Sequence, residues 1–112
     1  MPEPVGICLK GRRDELGPSL ELAPDVVYVG RRCTMGGWRL PESPYANPFR
    51  AKDVGGAEHA VTLYAQWLRH QRPDLVERAR VELVGKQLAC FCALGDPCHR
   101  DVLRVVVLGG EP

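Results

Sequence analysis

At 112 residues the chain has the size of one domain, long enough to bury roughly two-thirds of its unfolded surface without a disulfide or metal staple. Hydrophobic and charged contents of 45% and 26% are those of a water-soluble globular protein, and no internal repeat or low-complexity segment appears. A net charge of +1 removes any bulk electrostatic case for nucleic acid or for a membrane surface, although Arg12-Arg13, Arg31-Arg32 and Arg39 form local basic clusters.

The N-terminal run Met-Pro-Glu-Pro-Val-Gly-Ile-Cys has no basic region leading into an apolar core, so no signal peptide is expected and the expected location is cytoplasmic. No apolar stretch approaches the length of a membrane span. In a reducing compartment the five cysteines are expected to stay as thiols. Their odd number suits free thiols or metal ligands better than a disulfide framework.

Val5 to Leu9 reads as a first strand. Lys10 to Pro24 is charged and carries Gly17 and Pro18, which reads as a loop. Asp25 to Val29 is β-branched and aromatic, the composition of a buried strand. It runs into Gly30-Arg31-Arg32. That turn is either an anion-facing loop or an ordinary turn with solvated arginines. Cys33 to Arg50 is a long irregular stretch containing Trp38, Tyr45 and Phe49. A long loop in a small domain is usually functional or disordered, and these aromatics argue against a solvated linker. Beside Arg39, Asn47 and Arg50 they offer stacking and hydrogen bonding to a planar ligand, or they simply plug the edge of the core.

Ala57 to His70 has the clearest helical spacing, bounded by Gly55-Gly56 and Pro73. His59 and His70 share a face of it but stand about 16 Å apart along the axis, too far to ligate one metal. Both read as surface residues. Pro73 opens a second helix to about Leu83, with Leu75, Val76, Ala79 and Leu83 inward.

Leu88 to Cys92 is a short apolar strand, Leu94 to Pro97 a turn, and from Cys98 the pattern is helical up to Gly109-Gly110. Cys98 and His99 thus stand at a helix start, where free N–H groups and the helix dipole face a ligand. The order of elements implies a small single-domain α/β fold, a Rossmann-like three-layer sandwich with a mostly parallel sheet. In such sheets ligands sit at the carboxyl ends of the strands, here the loops after Val29 and after Cys92.

Three readings of the cysteine cluster compete. Cys90, Cys92, Cys98 and His99 are zinc-type ligands, although a Cys-x-Cys pair is a poor match to the usual knuckle and adjacent Cys98 and His99 diverge on a helix. Alternatively Cys98 is a reactive thiol at a helix N-terminus, aided by His99 or Arg100. Asp101 either orients His99 or only favours the helix start as an acidic first-turn residue. Lastly, Cys90 and Cys92 are small buried hydrophobes, as Cys8 also is.

Several motifs carry a resemblance. Tyr28-Val29-Gly30-Arg31, then Gly36-Gly37-Trp38-Arg39-Leu40-Pro41-Glu42-Ser43 with Ala46-Asn47-Pro48-Phe49, then Tyr64 with Trp67-Leu68, then Gly85-Lys86 through Cys98-His99-Arg100-Asp101-Val102-Leu103 follow one another in order. Over about residues 26 to 105 the chain resembles a small family of unknown function found in bacteria and their phages. It departs from the family pattern at Phe91 in place of Trp, at Arg100 in place of Gly, and at Cys33. The Cys98-His99-Arg100 form is also similar to the end of a second family of unknown function, where a strand is followed by such a segment and a helix.

The resemblance implies a compact domain whose polar residues Arg31, Asn47, Cys98, His99 and Asp101 gather at one sheet end. It brings no established reaction. By analogy, such a site suits a nucleotide-like or nucleobase-like phosphorylated small molecule. The expected ligand contacts are Gly30, Arg31, Trp38 or Phe49, Asn47, Arg50 and Arg100. Cys98, His99 and Asp101 are the expected catalytic groups of a hydrolase or transferase. No cofactor is expected on this reading. Zinc held by Cys90, Cys92, Cys98 and His99 in a structural or adaptor module is the alternative.

Overall fold

The computed structural model describes residues 6–91 and 97–112. Val5, Cys92 and the Leu94 to Asp96 part of the expected turn lie outside the described residues. The chain runs β1 (Gly6–Cys8), α1 (Arg13–Leu16), β2 (Val26–Tyr28), α2 (Ala51–Val54), α3 (Ala57–His70), α4 (Pro73–Glu82), β3 (Gln87–Cys90) and α5 (His99–Val107). Among the described residues the strands form a parallel sheet of order β1-β3-β2, so the last strand in sequence is the central one.

That position explains the composition of β3. Leu88 and Ala89 are fully buried and Cys90 nearly so, because a central parallel strand is covered on both faces and reads as a continuous apolar run. Side-chain alternation sends Leu88 and Val27 to one face with α3, α4 and α5, where Tyr64, Leu68, Leu75 and Leu103 form the larger core. It sends Ala89, Ile7 and Tyr28 to the other face. That face is covered by Leu16 of α1, by Leu20, and by Trp38 and Leu40 of the long loop.

The helices follow from local signals. Residues Ala60, Tyr64 and Leu68 of α3 recur at four-residue spacing and are buried. Gly55 and Gly56 lie at φ of 89° and 138°. This left-handed backbone, which glycine adopts without Cβ strain, ends α2 and restarts the chain as α3. Pro73 occupies the first turn of α4. In α5 His99, Leu103 and Val106 form the buried stripe, and Gly109 at φ 92° closes it. His59 and His70 are exposed, as expected. The short helices α1 and α2, four residues each, were not legible as helices. Such lengths carry too few turns for a period to register. Among the described residues no helix is long and apolar enough to cross a membrane.

Candidate functional site

The site begins where β2 ends. Val29 is buried, and its N–H continues the ladder by donating to the Ala89 carbonyl at 3.0 Å. Beyond buried Gly30 the chain leaves the sheet, and Arg31 reaches across the loop. Its Nη2 donates to the Asn47 carbonyl at 2.7 Å and to the Phe49 carbonyl at 3.0 Å. Asn47 is itself buried. Its Nδ2 donates to the Ala60 carbonyl of α3 at 3.2 Å, and its Oδ1 accepts the Phe49 N–H at 2.9 Å. The Tyr28 hydroxyl donates to the Arg31 carbonyl. Arg31 and Asn47 thus clamp the 47–49 segment between β2 and α3.

The second half comes from β3 and the start of α5. Cys98 is the residue preceding the first turn of α5. Its Sγ lies 3.1 Å from Cys90 Sγ and 3.8 Å from His99 Nδ1. His99 Nε2 lies 2.6 Å from the Val29 carbonyl. A carbonyl only accepts, so Nε2 donates to it, and Nδ1 is the ring nitrogen turned toward Cys98. The Tyr64 ring packs edge-on against the imidazole at 5.1 Å between centroids. Burial, then the neighbouring Tyr45 and Cys98, push the Tyr64 hydroxyl well above its ordinary pKa. It stays neutral and donates to the Tyr45 carbonyl at 2.6 Å. Cys98, His99 and the backbone of Val29 therefore stand in a row, an order in which a thiol, a base and an orienting acceptor can cooperate chemically.

These two halves enclose a cavity of about 470 Å³ at the carboxyl ends of β2 and β3, within the usual range of small-molecule sites. Gly30, Arg31, Asn47, Phe49, Cys98 and His99 all line it. So do Arg32, which is exposed, and Ala57 and Ala60 of α3. Their small side chains leave space on that wall.

The remaining expected residues are placed elsewhere. Trp38 is buried beneath the opposite face of the sheet, edge-on to Phe91 with 5.5 Å between ring centroids. Its hydrophobic area is used as core. Arg50 is exposed ahead of α2 and is not among the lining residues. Arg100 is 2% exposed and not among the lining residues; its Nη1 donates to Cys90 Sγ at 2.8 Å and to the Ile7 carbonyl at 3.4 Å. Asp101 is exposed and lies 3.7 Å from Arg104. Residues two apart on a helix are about 200° apart around the axis, so Asp101 does not face His99. The Val29 carbonyl has the orienting position instead. No sequence signal marks that partner, because it is main chain. Arg32 stood in the turn read as either anion-facing or solvated, but not among the expected contacts, and it lines the cavity. The α3 wall was not anticipated, because Ala57 and Ala60 read like ordinary helix formers.

For zinc, the described residues hold no group of three or more histidine, cysteine or acidic side chains arranged to take a metal. Cys92, one of the expected ligands, lies outside the described residues. Two thiolates on one tetrahedral zinc stand about 3.8 Å apart, given Zn–S bonds of about 2.3 Å. The Cys90 and Cys98 sulfurs at 3.1 Å are closer than that.

The chain is similar to an uncharacterised protein, R718, of Acanthamoeba polyphaga mimivirus, with 32% identity over 110 residues, covering 92% of this chain and 78% of that protein. No solved structure matches it. A family model, described as a domain of unknown function (DUF4326), matches residues 15–108. That span includes the β2 end, the clamped loop, β3 and the start of α5, so the whole cavity lies within it, and the chain belongs to the DUF4326 family.

Proposed function

We propose that the cavity binds a phosphate-bearing, nucleotide-like small molecule, and that Cys98 and His99 act on it. The observation that carries this reading is the convergence of two helix starts on one cavity at the strand ends. Ala57 opens α3, and Cys98 and His99 open α5. Neither start has a side-chain cap, so first-turn N–H groups and the positive helix ends suit an anion there. Arg32 supplies an exposed cation at the rim, and Phe49 an aromatic surface for a planar group. Kinship with Rossmann-like three-layer folds belongs to the same reading, by analogy with parallel sheets that bind at their strand ends. So does a cytoplasmic location, in which the thiols stay reduced.

The enzyme form is hydrolysis or group transfer at the nucleotide or nucleobase. The Cys98 thiol passes its proton to His99 Nδ1 as its sulfur bonds to the electrophilic centre. The leaving group departs with that proton, and water or an acceptor then displaces the sulfur. The present 3.8 Å between Sγ and Nδ1 would shorten on binding, as catalytic contacts in empty sites commonly do.

Thermal melting with inorganic phosphate, nucleosides, nucleoside phosphates and short oligonucleotides tests the reading. Nucleoside phosphates are expected to raise the midpoint more than phosphate or nucleoside alone. Phe49→Ala and Arg32→Ala are each expected to weaken binding roughly tenfold, the effect of losing about 1–3 kcal/mol of stacking or of charged contact. Absence of any midpoint shift at millimolar nucleotide, or equal binding by a His99→Ala/Arg31→Ala double variant, rejects it. A response to oligonucleotides alone transfers the site to nucleic acid.

A further inference from the structure

We infer that Cys90 and Cys98 form a peroxide-oxidisable dithiol that closes to a disulfide in the cavity wall. This inference does not depend on the ligand proposed above. Cys90 is the last residue of the central strand β3, and Cys98 stands just before α5. The two elements belong to different layers of the fold and bring their sulfurs within 3.1 Å. A disulfide bond is about 2.05 Å long, so roughly 1 Å of approach makes it. Both side chains are almost fully buried, at 3% and 2% exposure. Both nonetheless line the cavity, which gives a small oxidant a route to them.

The chemistry around each sulfur differs in a useful way. Arg100 Nη1 donates to Cys90 Sγ at 2.8 Å. A cation at that distance favours the thiolate, the form that attacks peroxide. Cys98 Sγ instead faces His99 Nδ1 at 3.8 Å, on the imidazole whose Nε2 lies 2.6 Å from the Val29 carbonyl.

The oxidant is hydrogen peroxide or a small organic hydroperoxide. The Cys90 thiolate attacks the peroxide oxygen, the O–O bond breaks, and the departing hydroxide takes up a proton to leave as water. Cys90 is then a sulfenic acid. Cys98 loses its proton to His99, its sulfur attacks Cys90 Sγ, and the sulfenic hydroxyl leaves with that proton as a second water. Two thiols have lost two electrons and two protons, and one peroxide has become two waters. Thiol–disulfide exchange with a reduced small thiol returns the pair to its starting state. While closed, the bond removes the Cys98 sulfur from the cavity and ties the end of β3 to the start of α5.

The test uses the full chain, fully reduced, exposed to hydrogen peroxide, quenched with acid, unfolded and counted for thiols. Of five cysteines, two are expected to disappear quickly and to return with dithiothreitol. Mass mapping should show a link between residues 90 and 98 with a loss of two hydrogens. Cys98→Ser should abolish the reversible loss and leave Cys90 to advance to sulfinic acid. The inference is overturned if all five thiols persist, or if the link joins Cys92 to either partner. It is equally overturned if Cys98→Ser still loses two thiols reversibly, or if the purified chain holds zinc that protects these sulfurs until it is chelated.

Discussion

Leu103→Ala is expected to cost about 3 kcal/mol of stability, the middle of the range for emptying a buried leucine site. Leu103 is 1% exposed in the core shared by the sheet and α3, α4 and α5. Domains of this kind hold roughly 5–15 kcal/mol in total, so the thermal midpoint should fall by about 10 °C. Two residues along, Val105 is 47% exposed. Val105→Ala should stay within about 0.5 kcal/mol. The pair also tests the site. His99 is four residues before Leu103 and therefore on the same helix face. Urea unfolding of both variants reads the difference. Similar costs for the two would mean that α5 is rotated about its axis, and His99 would then not face Val29.

Arg31→Ala should cost about 2 kcal/mol and also weaken binding of the proposed ligand. The guanidinium holds two carbonyls, those of Asn47 and Phe49. Hydrogen bonds to a charged group are worth about 1.5–3 kcal/mol each, and Arg31 is half-buried, so water replaces part of the loss. Freed of the clamp, Phe49 no longer holds its place in the cavity wall, and affinity for a nucleotide should drop at least tenfold. Arg31→Lys separates two explanations. An ammonium keeps the charge but lacks the planar fork that spans two carbonyls. It should restore less than half of the stability and little of the binding. Full rescue by lysine in a titration would mean that Arg31 meets an anion by charge alone, and the clamp would not be its role.

Arg31 shows why a sequence places a residue better than it assigns one. Glycine and arginine after a buried strand mark a turn at a sheet end, and Gly30 and Arg31 are at that end. Whether the guanidinium meets a phosphate or a carbonyl depends on where residues 47–49 lie, sixteen to eighteen positions away. Trp38 is a similar case. Its place in an aromatic loop suggested a ligand surface, yet the sheet face beneath it meets the four-residue helix α1, and the tryptophan extends that cover together with Leu16 and Leu40. Arg100 and Asp101 follow His99 directly in sequence. The helical turn of about 100° per residue sends the three in different directions.

The sequence by itself determined the parallel α/β architecture, the extents of α3, α4 and α5, and the strand ends at which the cavity lies. These follow from short-range rules: the period of apolar residues, glycine and proline at element ends, and strands apolar enough to be buried on both faces. Only the tertiary structure decided the strand order β1-β3-β2, the partner of His99, and the meeting of Cys90 with Cys98. Each of these joins residues whose approach is fixed by packing between layers, and local pattern carries no record of which distant atom a side chain will reach.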